Sequence, residues 1–100
     1  MSGIGWDRVC EADCRAVAYT EILQLLDREI YVVRQELKLP RGLNGSHRGA
    51  RLDLAILERA TGKILLIVEV KRSSTSKAQA QGKRYAKMAR APVIYLRGMA

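Results

Sequence analysis

The chain has 100 residues, 48% of them apolar, and carries 18 Lys or Arg against 10 Asp or Glu for a formal charge of +8. That length suits one compact domain burying roughly 60–65% of the surface its unfolded chain exposes, and that apolar content excludes a disordered chain. No apolar run approaches the ~18 residues of a membrane span, the first residues lack the pattern of a secretion signal, and no Gly-rich phosphate loop or internal repeat occurs.

The charge is unevenly spread. Residues 1–36 hold four bases and seven acids, whereas residues 37–100 hold fourteen bases and three acids. A basic half of this kind attracts polyanions. Cys10 and Cys14 with a single His supply too few ligands for a Cys/His zinc site. Both are read as reduced structural thiols, which points to a cytoplasmic setting.

In chain order, residues 11–28 predict a helix, with Cys14, Ala18, Ile22, Leu25 and Leu26 recurring on one face. Residues 30–39 are β-rich and stop at Pro40. Residues 40–49, PRGLNGSHRG, form a basic loop. A second strand spans 50–58, a turn 59–62, and residues 63–71 form the most apolar strand, placed centrally because continuous apolarity suits a strand covered on both faces. A Ser/Thr segment at 73–76 leads into a helix at about 76–90, and 91–97 supply the last strand. The order is α-β-β-β-α-β in one domain, residues 1–100. The chain stops directly after its last strand, so a homodimer or higher homo-oligomer is expected.

Alternation of side chains along a strand places Arg51, Asp53, Ala55 and Leu57 on one face of the second strand, with Leu52, Leu54 and Ile56 on the other. In the third, Leu65, Ile67, Glu69 and Lys71 share a face. Pairing around the turn sets residue 53 opposite 68 or 69, so Asp53 and Glu69 converge at the open end of the sheet. Two facing carboxylates repel unless a cation compensates, and a hard divalent ion such as Mg²⁺ takes such oxygens. Lys71 then assists an attacking water or steadies charge on a phosphate. A structural ion pair of Asp53 or Glu69 with Lys71 or Arg51 accounts for the same spacing.

In the second helix, Ala78, Gln81, Tyr85, Met88 and Ala89 make the inward stripe, and a Gln there needs a hydrogen-bonding partner. Lys77, Lys83, Arg84, Lys87 and Arg90 occupy the opposite side, suited to phosphate contacts. Glu21 borders the apolar stripe of the first helix, either as a third acid or as a boundary residue reaching solvent. Trp6 and Tyr19 read as core or interface anchors rather than base-stacking residues.

Asp53 followed by Glu69-Val70-Lys71 in a hydrophobic strand resembles the signature of the PD-(D/E)xK nuclease superfamily, whose common core has this same α-β-β-β-α-β order. Gly49-Ala50-Arg51-Leu52-Asp53 is similar to the motif around its metal-binding Asp, with Leu52 where Pro is usual. Gln81-Gly82-Lys83-Arg84-Tyr85 resembles the QxxxY motif of the RecB-type and Cas4-type branch, and Glu21 the first-helix acid of many members. The two cysteines fall short of the four an iron–sulphur cluster requires.

The resemblance covers about residues 17–97. It implies a restriction-endonuclease-like α/β fold, a small mixed sheet flanked by helices, in which Asp53, Glu69, the Val70 carbonyl and Glu21 hold Mg²⁺ or Mn²⁺. Lys71 would assist the water, and Gln81 and Tyr85 would position the phosphodiester or the lysine. Arg41, His47, Arg48 and Arg51, with Lys77, Lys83, Arg84 and Lys87, would flank the DNA strand. The implied activity is a metal-dependent DNA endonuclease, acting on branched or structured DNA. A RecB-like exonuclease and a non-catalytic nucleic-acid-binding protein are the alternatives. Origin in a virus or mobile element suits the same residues.

Overall fold

A computed structural model of the chain describes residues 11–71 and 76–97. The readings placed on Trp6, Cys10 and the Ser/Thr segment at 73–75 lie outside them. Its elements are α1 (Glu11–Leu25), β1 (Tyr31–Leu39), a 3-10 turn (Leu43–Gly45), β2 (Ala50–Glu58), β3 (Ile64–Lys71), α2 (Ser76–Ala89) and β4 (Val93–Arg97). The α-β-β-β-α-β order expected from the sequence is present in a small α/β architecture with one four-stranded mixed sheet.

The strands lie in the order β1-β2-β3-β4. β2 is antiparallel to β1 and to β3, and β4 is parallel to β3. The β2–β3 connection is short because Gly62 adopts a φ of 74°, which closes the turn. Its N–H donates to Glu58 O at 2.7 Å, and the Glu58 N–H donates to Lys63 O at 2.8 Å. A parallel β4 requires a crossover, and α2 is that crossover.

The two helices cover opposite faces. Tyr85 and Met88 of α2 pack with Leu39, Leu52, Ala55 and Ile67. On the other side, Cys14 and Ala18 of α1 pack with Leu54, Val68 and Val70. β3 contributes to both clusters, which explains its continuous apolar sequence. Leu52, Leu54 and Ile67 are fully buried, and burial of a side chain of this size contributes about 1.5–3 kcal/mol.

Strict alternation fails in the strands at two places. Leu52 joins the α2-side cluster while Leu54 joins the α1-side cluster, so β2 changes face at Asp53, and Leu52 does not share a side with Leu54 as alternation predicted. β1 does the same beside it: Leu37 and Leu39 pack on the α2 side, although Val33 is paired with Ile56. The pivot in β1 is Glu36, whose φ of 53° is a left-handed conformation rare for a non-glycine residue. The second break is a bulge opposite Ile56 and Leu57, where β3 carries one extra residue. It brings Ile64 onto the same side as Ile67.

The apolar stripe of α1 outruns the sheet. Ile22 still packs against the core, but Leu25, expected on the same face, is 84% exposed at the helix end. Tyr19 packs against the α1-side cluster, the anchoring role expected of it. The edge strand β4 leaves Ile94, Tyr95 and Leu96 exposed; Ile94 and Leu96, level with Val68 and Val70, lie on the α1 side, and Tyr95 on the α2 side. Among the described residues no helix is long and apolar enough to cross a membrane.

Candidate active site

The β2–β3 ladder runs from Leu57 and Ile64 to Leu54 and Val68. Beyond that pair the strands are held by two side chains instead of carbonyls. The Asp53 N–H donates to Glu69 Oε2 at 2.8 Å, and the Val70 N–H donates to Asp53 Oδ2 at 2.9 Å. Each carboxylate thus takes the place of a ladder acceptor on the neighbouring strand. Asp53 can reach sideways in this manner because it sits where β2 changes face. The register places it level with Glu69, one of the two alternatives the turn allowed.

Glu69 is the one buried polar or charged side chain among the described residues, 2% exposed. Burying a carboxylate is costly unless its charge is compensated. Lys71 ends β3 two residues on and is half-buried. Tyr85 of α2 lies within the field of the whole group. Burial raises the pKa of its phenol above the usual 10.0, with Glu69 and then Asp53 adding to the rise, while Arg84 and Lys71 act against it. The side chain therefore stays an O–H donor at neutral pH. Gln81 is half-buried and sits one turn before Tyr85, on the same side of α2.

Asp53, Glu69, Lys71 and Tyr85 are thus brought together on the α2 side of the fork. Glu21 is not. It is exposed, and the part of α1 that reaches the fork is near Arg15, whose Nη1 lies 3.3 Å from Glu36 Oε1. Six residues separate Arg15 from Glu21, about 9 Å along a helix axis. Among the described residues no group of three or more His, Cys, Asp or Glu gathers at one place, so the expected four-member metal set loses Glu21. What remains is the carboxylate pair and the Val70 carbonyl.

These groups fit a hard divalent ion. Both side chains offer carboxylate oxygens, and each uses one of them, Oδ2 or Oε2, to grip the adjacent strand. That grip orients the pair without needing a metal. Mg²⁺ is commonly held by one or two carboxylates plus waters and a substrate phosphate, so two acids suffice.

Of the basic residues, Arg41, His47, Arg48, Arg51, Lys77, Lys83 and Lys87 are exposed. Arg84 departs from the expected solvent-facing position. Its Nη1 donates to Gly49 O at 3.1 Å and Arg48 O at 3.4 Å, and lies 3.5 Å from Met88 Sδ. Its guanidinium carbon stands 5.0 Å from the Tyr85 ring centre. Arg84 therefore fastens the basic loop to α2. Arg51 lies 3.9 Å from Glu36, and among the described residues no ion pair joins it to Asp53.

Sequence reasoning passed over three positions that shape this site. Glu36 bonds to Arg15 and pivots β1 level with Asp53; nothing in its local sequence marks it. Asn44, in a left-handed conformation with φ 49°, donates from its side-chain amide to Met88 O and so caps α2; the Asn-Gly pair signalled only a turn. Gly82 lies under Tyr95, whose O–H donates to Ala78 O at 2.7 Å. A Cβ at Gly82 would fall 1.7 Å from that phenol oxygen. A glycine inside a helix was the available signal. Compared with known proteins, the chain matches no family model, no curated protein and no solved structure.

Proposed function

We propose that the protein is a metal-dependent DNA endonuclease with a restriction-endonuclease-like core, hydrolysing phosphodiester bonds at the β2–β3 fork. The observation that carries this reading is the buried Glu69 locked against Asp53 at the strand fork, with Lys71 two residues away and a buried Tyr85 facing them. A buried acid beside a second acid is costly unless its charge is compensated, and such groupings cluster at functional sites.

Asp53 and Glu69, with the Val70 carbonyl, would hold Mg²⁺ or Mn²⁺. Such an ion, when bound, polarises a phosphate oxygen and lowers the pKa of a bound water. Lys71, at the mouth of the fork, directs its ammonium at the attacking water or at the charge that develops on the phosphate. Tyr85 donates its O–H from the α2 side, and Gln81, one turn earlier, orients the diester or the lysine. The exposed bases of the 40–51 segment and of α2 neutralise phosphates on either side of the scissile bond. A homo-oligomer, with the exposed Ile94, Tyr95 and Leu96 of β4 covered by a second copy, is the proposed working form.

The test is an incubation with closed circular, linear, single-stranded, flap and four-way junction DNA, with Mg²⁺, Mn²⁺ or EDTA. Wild type should cut closed circular or junction DNA only with metal, and Lys71→Ala should lose about 10²-fold or more of that rate. Degradation confined to free ends would replace the endonuclease with an exonuclease. Binding to every DNA without cleavage of any would leave a non-catalytic binding protein.

A further inference from the structure

A concave site lies at the C-terminal end of α2, and neither Asp53 nor Glu69 is among its lining residues. The loop of residues 44–48 and the Arg84–Met88 turn of α2 enclose a cleft of about 280 Å³. His47, Arg48, Arg84 and Lys87 line it together with Asn44 and Ser46, and no acid is among its lining residues. Three cations and an imidazole line one concavity, which focuses positive potential more than the same charges on a flat face.

The cleft is built before any ligand arrives. Asn44 fastens the loop to the Met88 carbonyl, Ser46 Oγ donates to Arg48 O at 2.8 Å, and Arg84 ties Gly49 and Arg48 carbonyls to the helix. The negative end of the α2 dipole would oppose an anion here. Two of its carbonyls are already satisfied, Met88 O by Asn44 and Ala86 O by the Ala91 N–H, and Lys87 and Arg84 offset the remainder. His47, Arg48 and Lys87 are exposed at the rim and free to close on a ligand.

We propose that this cleft binds a phosphate group of a nucleic-acid strand, at a position separate from the scissile phosphate. The assignment rests on the nuclease reading for its purpose, since the cleft would hold a flanking phosphate while the fork acts on another. Its binding chemistry stands on the cleft alone. Guanidinium, ammonium and imidazole donors in one concavity match the several acceptor oxygens of a phosphate. A volume at the small end of ligand sites fits a nucleotide-sized unit.

His47 is the only histidine in the chain, so its imidazole signals in a proton–carbon NMR spectrum are an unambiguous reporter. The titrants are dodecathymidylate, inorganic pyrophosphate and an oligoglutamate peptide, each in EDTA at matched chloride, against wild type, Lys71→Ala, Lys87→Glu and the double variant Arg48→Glu/Lys87→Glu. Dodecathymidylate should move the His47 signals in wild type and in Lys71→Ala alike. Its affinity should fall about tenfold at low salt in the double variant and by less in Lys87→Glu. Pyrophosphate should bind the same cleft more weakly.

An unmoved His47, an equal shift from oligoglutamate, or an affinity untouched by either substitution would overturn the proposal. Pyrophosphate binding without dodecathymidylate binding would overturn the strand as the source of the phosphate. Failure of the nuclease reading shows instead as absent cleavage with these shifts intact, and failure of the cleft shows as cleavage whose KM is unchanged in the double variant.

Discussion

Replacement of Asp53 separates the structural part of the fork from its chemical part. Val70 is 2% exposed, and its N–H has Asp53 Oδ2 as acceptor at 2.9 Å. Asp53→Ala deletes that acceptor and leaves a buried donor unpaired, a loss of about 1–3 kcal/mol. The reciprocal bond survives, because the donor to Glu69 is the residue 53 backbone N–H. Asp53→Asn keeps a carbonyl oxygen of the same reach. It exchanges a charge-assisted bond for a neutral one of about half the strength, but it also removes one of two facing negative charges. Asp53→Asn should therefore remain within about 1 kcal/mol of wild type, with Asp53→Ala about 1–2 kcal/mol below it. Thermal unfolding resolves that gap, since 1 kcal/mol moves the Tm of a domain this size by about 4–8 °C.

Function should follow a different order. Both variants should lose cleavage by about 10²-fold or more. Mg²⁺ should raise the wild-type Tm, by the equivalent of about 2.7 kcal/mol at a hundred times its Kd, and should leave both variants unmoved. Equal stability of the two variants would refute the Val70 bond as the anchor of the fork. Wild-type cleavage, or a wild-type Mg²⁺ response, in Asp53→Asn would refute the acid as a metal ligand.

Two further outcomes follow from the packing of α2. Gly82→Ala gains about 1 kcal/mol of helix propensity, yet its Cβ would fall 1.7 Å from the Tyr95 phenol oxygen. Urea unfolding should show it destabilising by about 1 kcal/mol in wild type, through the lost bond to Ala78 and displaced ring, and stabilising by a similar amount in Tyr95→Ala; the same sign in both backgrounds would refute the contact. The Tyr85 pKa is raised in the folded protein, so the unfolded chain loses this proton first as pH climbs. The resulting stability is complete below pH 10 and lost as pH rises through the higher folded value. Tyr85→Phe should flatten that alkaline decline in unfolding midpoint; an unchanged alkaline decline would refute it.

The elements, their order and the approach of Asp53 to Glu69 were legible for identifiable reasons. Continuous apolarity in 64–70, broken only by Glu69, marks a central strand with a misplaced charge. Pro40 and the Gly-rich loop mark the ends of β1 and β2, and the turn at 59–62 makes β2 and β3 neighbours, so Asp53 and Glu69 had to approach one another. Hydrophobic burial and turn chemistry are local in sequence, and they are readable there. The metal and the nucleic-acid substrate were expectations of a different kind, resting on paired acids, charge and resemblance, and the cleavage and Mg²⁺ experiments above decide them.

Only tertiary structure decided how the pair is held. Alternation assumes a regular strand, and the left-handed Glu36 and the face change at Asp53 arise from two strands twisting together, with no signal in either alone. Glu21 was assigned by its place on a helix stripe, but its distance from the fork depends on which end of α1 docks, which the Arg15–Glu36 contact settles. Arg84 read as a solvent-facing base because helical spacing put it opposite Tyr85's neighbours; a loop from 35 residues earlier claims it instead. Residue types and spacing determined which side chains could meet. Strand irregularity, helix end and loop docking, all products of long-range packing, determined which ones did.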